Sequence, residues 1–162
     1  MNLSEIMKSG IEPAMALLPK KMDTPEAKVM LLSIGMQESR FQYRRQVGGP
    51  ARSFWQFEEG TQKSRGGVWG VYLHPASSGL LMNLCTARSV VFIPDDIYKA
   101  IETDDVLAAG IARLMLYTDP KPLPAVDDTS GGWATYLRIW RPGKPHPETW
   151  SSFHTQAQQE VV

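Results

Sequence analysis

The stretch DTPEAKVMLLSIGMQESRF, residues 23–41, decides how this chain is read. Asp23-Thr24-Pro25-Glu26 is a helix start: a capping residue, a proline in the first turn, and an acid beside the positive end of the helix dipole. The helix it opens should run to about Glu38. At 100° per residue, Ala27, Met30, Leu31 and Ile34 fall within roughly 100° of arc, the width of a core-facing stripe. Glu38 lies near the middle of that arc, one turn beyond Ile34. A carboxyl group there faces apolar surroundings at the negative end of the dipole, so desolvation first and the dipole second should raise its pKa. A carboxylic acid still protonated near neutral pH can hand a proton to a leaving oxygen, as glycosidic cleavage requires. A glutamate in a last helical turn is more commonly solvated and without a role, so the pattern alone leaves both readings open.

Outward from this helix the chain reads as mainly α with a minor β element. Leu3 to Leu18 carries apolar residues at near-helical spacing, with Pro13 expected to start a second short helix after Gly10. Gln46 to Gly70 is broken by Gly48, Gly49, Gly60, Gly66, Gly67 and Gly70, which predicts a small β-hairpin and loops. Helical patterns return at Leu80–Val90, at Pro94–Ile101, and up to Tyr117 from a cap at Thr103 with Asp104 and Asp105 in the first turn. Pro120, Pro122 and Pro124 make Asp119–Ser130 an extended loop. A short helix is expected over Trp133–Trp140, a proline-broken turn over Arg141–Pro147, and a last helix from Pro147 whose polar tail frays from about Gln156.

With 162 residues, 43% hydrophobic and 21% charged, the chain suits one soluble domain, residues 1–162, with a full hydrophobic core. Seventeen basic residues balance seventeen acidic ones, so neither nucleic acid nor an anionic membrane is an expected partner. Cys85 is the only cysteine, which excludes an intramolecular disulfide and a cysteine metal cluster. His74, His146 and His154 show no metal-ligand spacing, and neither metal nor cofactor is expected. Apolar windows such as Val29–Ile34 and Leu80–Leu84 are too short for membrane insertion. Met1–Gly10 lacks the features of a secretory signal, so synthesis in the cytoplasm is expected.

Gln37-Glu38-Ser39-Arg40-Phe41 resembles the Glu-Ser motif of lytic transglycosylases and of the wider lysozyme-like superfamily. Ser53-Phe54-Trp55-Gln56 occupies the place of that family's Gly-Leu-Met-Gln motif and keeps its glutamine. Trp140-Arg141-Pro142-Gly143 is a looser counterpart of Tyr-Asn-Ala-Gly. Gly49–Glu58 and Tyr136–Pro145 also look like stretches of small bacteriophage lysozyme-like proteins. The resemblance reaches from about Leu18 to Trp150 and implies a lysozyme-like fold: a helical domain, a small β-hairpin lobe, and a cleft between them.

The resemblance implies Glu38 as the catalytic acid, with Ser39 orienting its carboxyl group or else capping the helix end. Gln56 can offer a donor and an acceptor to a sugar or its N-acetyl group. Trp55, Trp69, Tyr136 and Trp140 are candidates to stack on sugar faces, with core packing as the alternative for each. Tyr136 stands near where the family places a tyrosine close to the acid. Glu58 and Glu59 are candidate second carboxylates for a hydrolytic reaction, or else a solvated pair. Arg44, Arg45, Arg52, Lys63 and Arg65 form a basic stretch able to meet the lactyl and peptide carboxylates of peptidoglycan, or simply solvated.

The activity so implied is cleavage of the β-1,4 bond between N-acetylmuramic acid and N-acetylglucosamine, with a 1,6-anhydro product. The rivals are a hydrolytic phage lysozyme using Glu58 or Glu59, and a non-catalytic glycan-binding or virion module of the same fold. Peptidoglycan glycan strands are the expected partner, with other virion or lysis proteins as further ones. The site of action would then be the cell wall, reached by delivery from a virion or a lysis system.

Overall fold

Helix α3, Pro25–Ser39, lies at the centre of the computed structural model, which describes residues 1–162. Thr24 caps it, its Oγ1 accepting from the Ala27 amide at 3.1 Å, and Pro25 occupies the first turn, where its missing N–H costs nothing. The stripe Ala27, Met30, Leu31 and Ile34 is buried, but so are Val29, Leu32, Ser33, Gly35 and Met36. This corrects the expected one-sided helix: α3 is wrapped nearly all round. Ser33 tolerates that burial because its hydroxyl donates back to the Val29 carbonyl at 2.7 Å. Glu38 is thus half-buried where a core helix emerges from its surroundings, and not because one face is apolar.

Around α3 the chain is mainly helical. It runs α1 (Leu3–Ile6), a wide π turn (Met7–Ile11), α2 (Glu12–Ala16), α4 (Gly67–Leu73), α5 (Ser78–Ala87), α6 (Pro94–Ala100), α7 (Asp105–Tyr117), α8 (Thr129–Trp140) and α9 (Pro147–Val161). Every one of these helices adds buried apolar side chains to one continuous core. The α9 helix packs along α3, and α7 packs against α3, α5 and the π turn. No helix is long and apolar enough to cross a membrane.

Several boundaries depart from expectation for local reasons. The path through Gly10 continues as the π turn; Gly10 is buried close to Asp105, where a Cβ would lie 3.3 Å from the Asp105 carbonyl oxygen. Asp104, not Thr103, caps α7, its carboxylate accepting from the Leu107 amide at 3.0 Å. The α8 helix begins at Thr129, four residues before the expected Trp133, with Asp128 as its cap. The polar tail does not fray at Gln156, because Ala157 is buried and α9 stays helical to Val161.

The hairpin expected between Gln46 and Gly70 is reduced to two isolated bridges, Arg45 with Arg52 and Arg52 with Phe57. Ser53 and Gln56 both take left-handed backbone angles, with φ of 71° and 53°, so the chain turns before a ladder can extend. The glycine-rich end of that region forms α4. Gly67, with φ of 55°, approaches the Glu58 carbonyl so closely that a Cβ would lie 2.1 Å from its oxygen.

Candidate active site

The end of α3 builds the site. Arg40 and Phe41 both adopt φ of 54°, which reverses the chain and folds the Phe41 ring back onto Gly35. A Cβ on Gly35 would lie 2.1 Å from Cζ of that ring, so only glycine admits it. Phe41 then meets Phe54 and Trp55 edge-on, at 5.4 and 5.7 Å between centroids. Two polar ties hold the loop to the helix. Ser39 Oγ donates to the Phe54 carbonyl at 2.7 Å, and Trp55 Nε1 donates to the Leu31 carbonyl at 2.8 Å.

These contacts decide two open alternatives. Ser39 is 1% exposed and its hydroxyl is used on backbone groups, so it neither orients the Glu38 carboxyl group nor reaches a ligand. Trp55 is 0% exposed and is core, because its indole N–H finds a backbone acceptor inside. Trp69 also stays out of the site, half-buried against Tyr72.

Glu38 meets Tyr136 across the site. The Tyr136 hydroxyl donates to Glu38 Oε1 at 2.6 Å, and the Tyr43 hydroxyl donates to the Glu38 backbone carbonyl at 3.1 Å. Burial pushes the Glu38 pKa up, and the bond from Tyr136 partly opposes it. Tyr136, 2% exposed, is held above the usual phenol range by burial and by the adjacent Glu38 charge, so it remains a donor. Its ring stacks on Trp150 at 5.3 Å and 13°, with Trp133 tilted against it at 5.5 Å.

An open groove of about 1090 Å³ runs past this pair. Gln56, Phe57, Glu58 and Arg65 line it from the loop and α4 region, and Trp140 to Lys144 from the end of α8. Gln56 keeps its amide nitrogen on the Ser53 carbonyl at 2.8 Å. Trp140 is fixed by a bond from Nε1 to the Trp55 carbonyl at 3.0 Å and by the edge of Phe57. Exposed Glu58 lines the groove; half-buried Glu59 does not.

The basic stretch is largely spoken for. Arg44 makes a bidentate pair with Asp105, and Arg45 and Arg52 both engage Glu102. Of those five cations only Arg65 lines the groove, and exposed Lys63 does not. The groove is instead bordered by cations outside that stretch, Arg40, Arg141 and Lys144. Gln37, Tyr43 and Thr149 also line it without having been anticipated. Only Gln37 carries a sequence signal, its place beside Glu38; Thr149 meets Gln37 from 112 positions away.

A half-buried carboxyl group with a raised pKa, one hydrogen-bonded oxygen and an open groove before it can act as a general acid on an extended ligand. No family model, curated protein or solved structure matches the chain.

Proposed function

We propose that the chain cleaves the glycan strands of bacterial peptidoglycan between N-acetylmuramic acid and N-acetylglucosamine, within a lysozyme-like architecture whose β lobe is shrunk to the bridged loop Arg45–Phe57. The observation that carries the reading is the Glu38–Tyr136 pair: a carboxyl group whose pKa is raised by burial, fixed by a phenol, on a groove open enough for a polymer. Glu38 protonates the glycosidic oxygen as the bond from that oxygen to the muramic C1 breaks. The resulting carboxylate then takes the proton of the muramic 6-hydroxyl, whose oxygen bonds C1 and closes the 1,6-anhydro ring. One carboxyl group serves both steps, and atoms balance without water.

Glu58 favours a second reading, hydrolysis, because it lines the same groove. Water would then be the nucleophile, with the second carboxylate activating it or forming a glycosyl intermediate. The two products differ by one water. A mass spectrum of fragments released from purified sacculi tests both readings. Anhydro ends support the first, reducing ends the second, and no release by wild-type protein overturns both.

A further inference from the structure

We propose that Gln37 is a positioning residue for Glu38, acting through the first turn of α9 and the ring of Tyr136. The proposal rests on the reading of Glu38 as the acid. Gln37 and Glu38 are neighbours on α3, so their side chains leave the helix about 100° apart and find different partners. Gln37 Nε2 donates to the His146 carbonyl at 2.9 Å, and its Oε1 lies 3.0 Å from Thr149 Oγ1, whose single proton it shares with the His146 carbonyl, also at 3.0 Å. His146 is the residue before α9 and Thr149 lies in its first turn, an end with no side-chain cap of its own.

The residue after Thr149 is Trp150, which stacks flat on Tyr136. Its Nε1 donates to the Thr129 carbonyl at 3.0 Å, tying it to the start of the helix that carries Tyr136. Tyr136 in turn bonds Glu38. The contacts therefore close a circuit, from Gln37 to Thr149, Trp150, Tyr136 and back to Glu38. A phenol–carboxylate bond of 2.6 Å tolerates little displacement of the ring, and the ring rests on Trp150. The apolar packing of α9 along α3 holds the helix in place without Gln37. What Gln37 fixes is the position of the first turn, and with it the plane of Trp150.

Tyr136 on α8 bonds the Glu38 carboxyl group and Tyr43 reaches only its carbonyl. The groove they share also carries the cations Arg40, Arg65, Arg138, Arg141 and Lys144, the carboxylates Glu58 and Glu148, and His74 and His146. Gln37→Met keeps the side-chain length and loses both bonds; Thr149→Val is nearly isosteric and loses the hydroxyl; Thr149→Ser keeps it. The measurement is the titration of the Glu38 carboxyl carbon by carbon-13 NMR, which needs no turnover, together with the pH profile of kcat/KM on sacculi.

Because the Tyr136 bond favours the carboxylate, loosening it raises the Glu38 midpoint. Gln37→Met and Thr149→Val are expected to move that midpoint upward, as Tyr136→Phe does, and to lower kcat roughly tenfold through misplacement of the acid. Thr149→Ser should match wild type. Adding Gln37→Met to Tyr136→Phe should shift the midpoint no further than Tyr136→Phe alone, since the circuit is already open. An unmoved midpoint in Gln37→Met and Thr149→Val, or additive shifts in the double variant, would overturn the proposal. If Gln37→Met does not fold, Thr149→Val decides. A chain that releases no glycan fragment overturns the proposed function, while the titration still tests the circuit.

Discussion

The hydroxyl of Tyr136 donates to Oε1 of Glu38 across 2.6 Å, joining two residues 98 positions apart in the chain. Glu38→Gln keeps the shape and the acceptor but cannot supply a proton. Its expected loss of activity is about 10²-fold or more, measured as clearance of a sacculus suspension. Tyr136→Phe removes a bond that opposes the effect of burial. The high-pH limb of kcat/KM should therefore move upward in that variant, with kcat roughly tenfold lower.

Burying Glu38 also has a thermodynamic signature. Its folded pKa lies above its unfolded one, so the ionised group destabilises the fold, and stability falls as pH rises from the ordinary glutamate value through the raised one. Glu38→Gln removes that dependence. The variant should melt at a higher temperature than wild type at neutral pH, with the gap closing as both are acidified below the ordinary glutamate range. A gap that widens on acidification would contradict the sign of the shift.

Gly35 admits the Phe41 ring only because it has no Cβ. Gly35→Ala should destabilise the fold by about 1–3 kcal/mol, as over-packing typically does. The check is a denaturant midpoint. Trimming the ring should relieve the clash, so Gly35→Ala with Phe41→Leu is expected to lose less than the sum of its parts.

The two carboxylates near the loop are expected to be dispensable if the muramic 6-hydroxyl is the nucleophile. Glu58→Gln and Glu59→Gln should each keep substantial activity, and wild-type products should end in 1,6-anhydro-muramic acid. Reducing-end products, together with a Glu58→Gln loss as severe as that of Glu38→Gln, would transfer the case to hydrolysis.

Arg141 and Lys144 border the groove and form no ion pair, unlike Arg138 beside them, which pairs with Asp119 at 2.6 Å. Peptide-bearing strands are anionic, so binding of the Glu38→Gln protein to sacculi should weaken as salt is raised. Arg141→Gln with Lys144→Gln should flatten that dependence. Binding of neutral chitin oligosaccharides should respond to neither change, which a sedimentation assay can follow.

The sequence made α3 legible because its start carries three independent signals and its core residues recur at helical spacing. It concealed α4, since Gly66, Gly67 and Gly70 read as breaks, whereas Val68 and Val71 are buried at helical spacing and Gly67 serves a close approach. The one-sided apolar stripe that singles out Glu38 in the sequence is not what half-buries it, because the helix is buried nearly all round. Nothing local told Trp55 from Trp140, because only the tertiary fold decides which indole N–H finds its acceptor in the core. Tyr136 was reachable only through resemblance, and Gln37 not at all, since its partners lie 109 and 112 positions away.

The packing of α9 along α3 sets an order of events. During synthesis, α3 and Glu38 leave the ribosome well before the segment that carries Tyr136 and Trp150. At typical elongation rates those 98 residues take roughly 5–20 s. Over that interval the buried side chains of α3 still await the α9 helix that packs along it. The acid gains its bond from Tyr136 only once α8 is made and folded back onto α3. A chain that cuts glycan would thus stay inert until folding is nearly complete, and its slow step should be the closure of a long loop, not the formation of any helix.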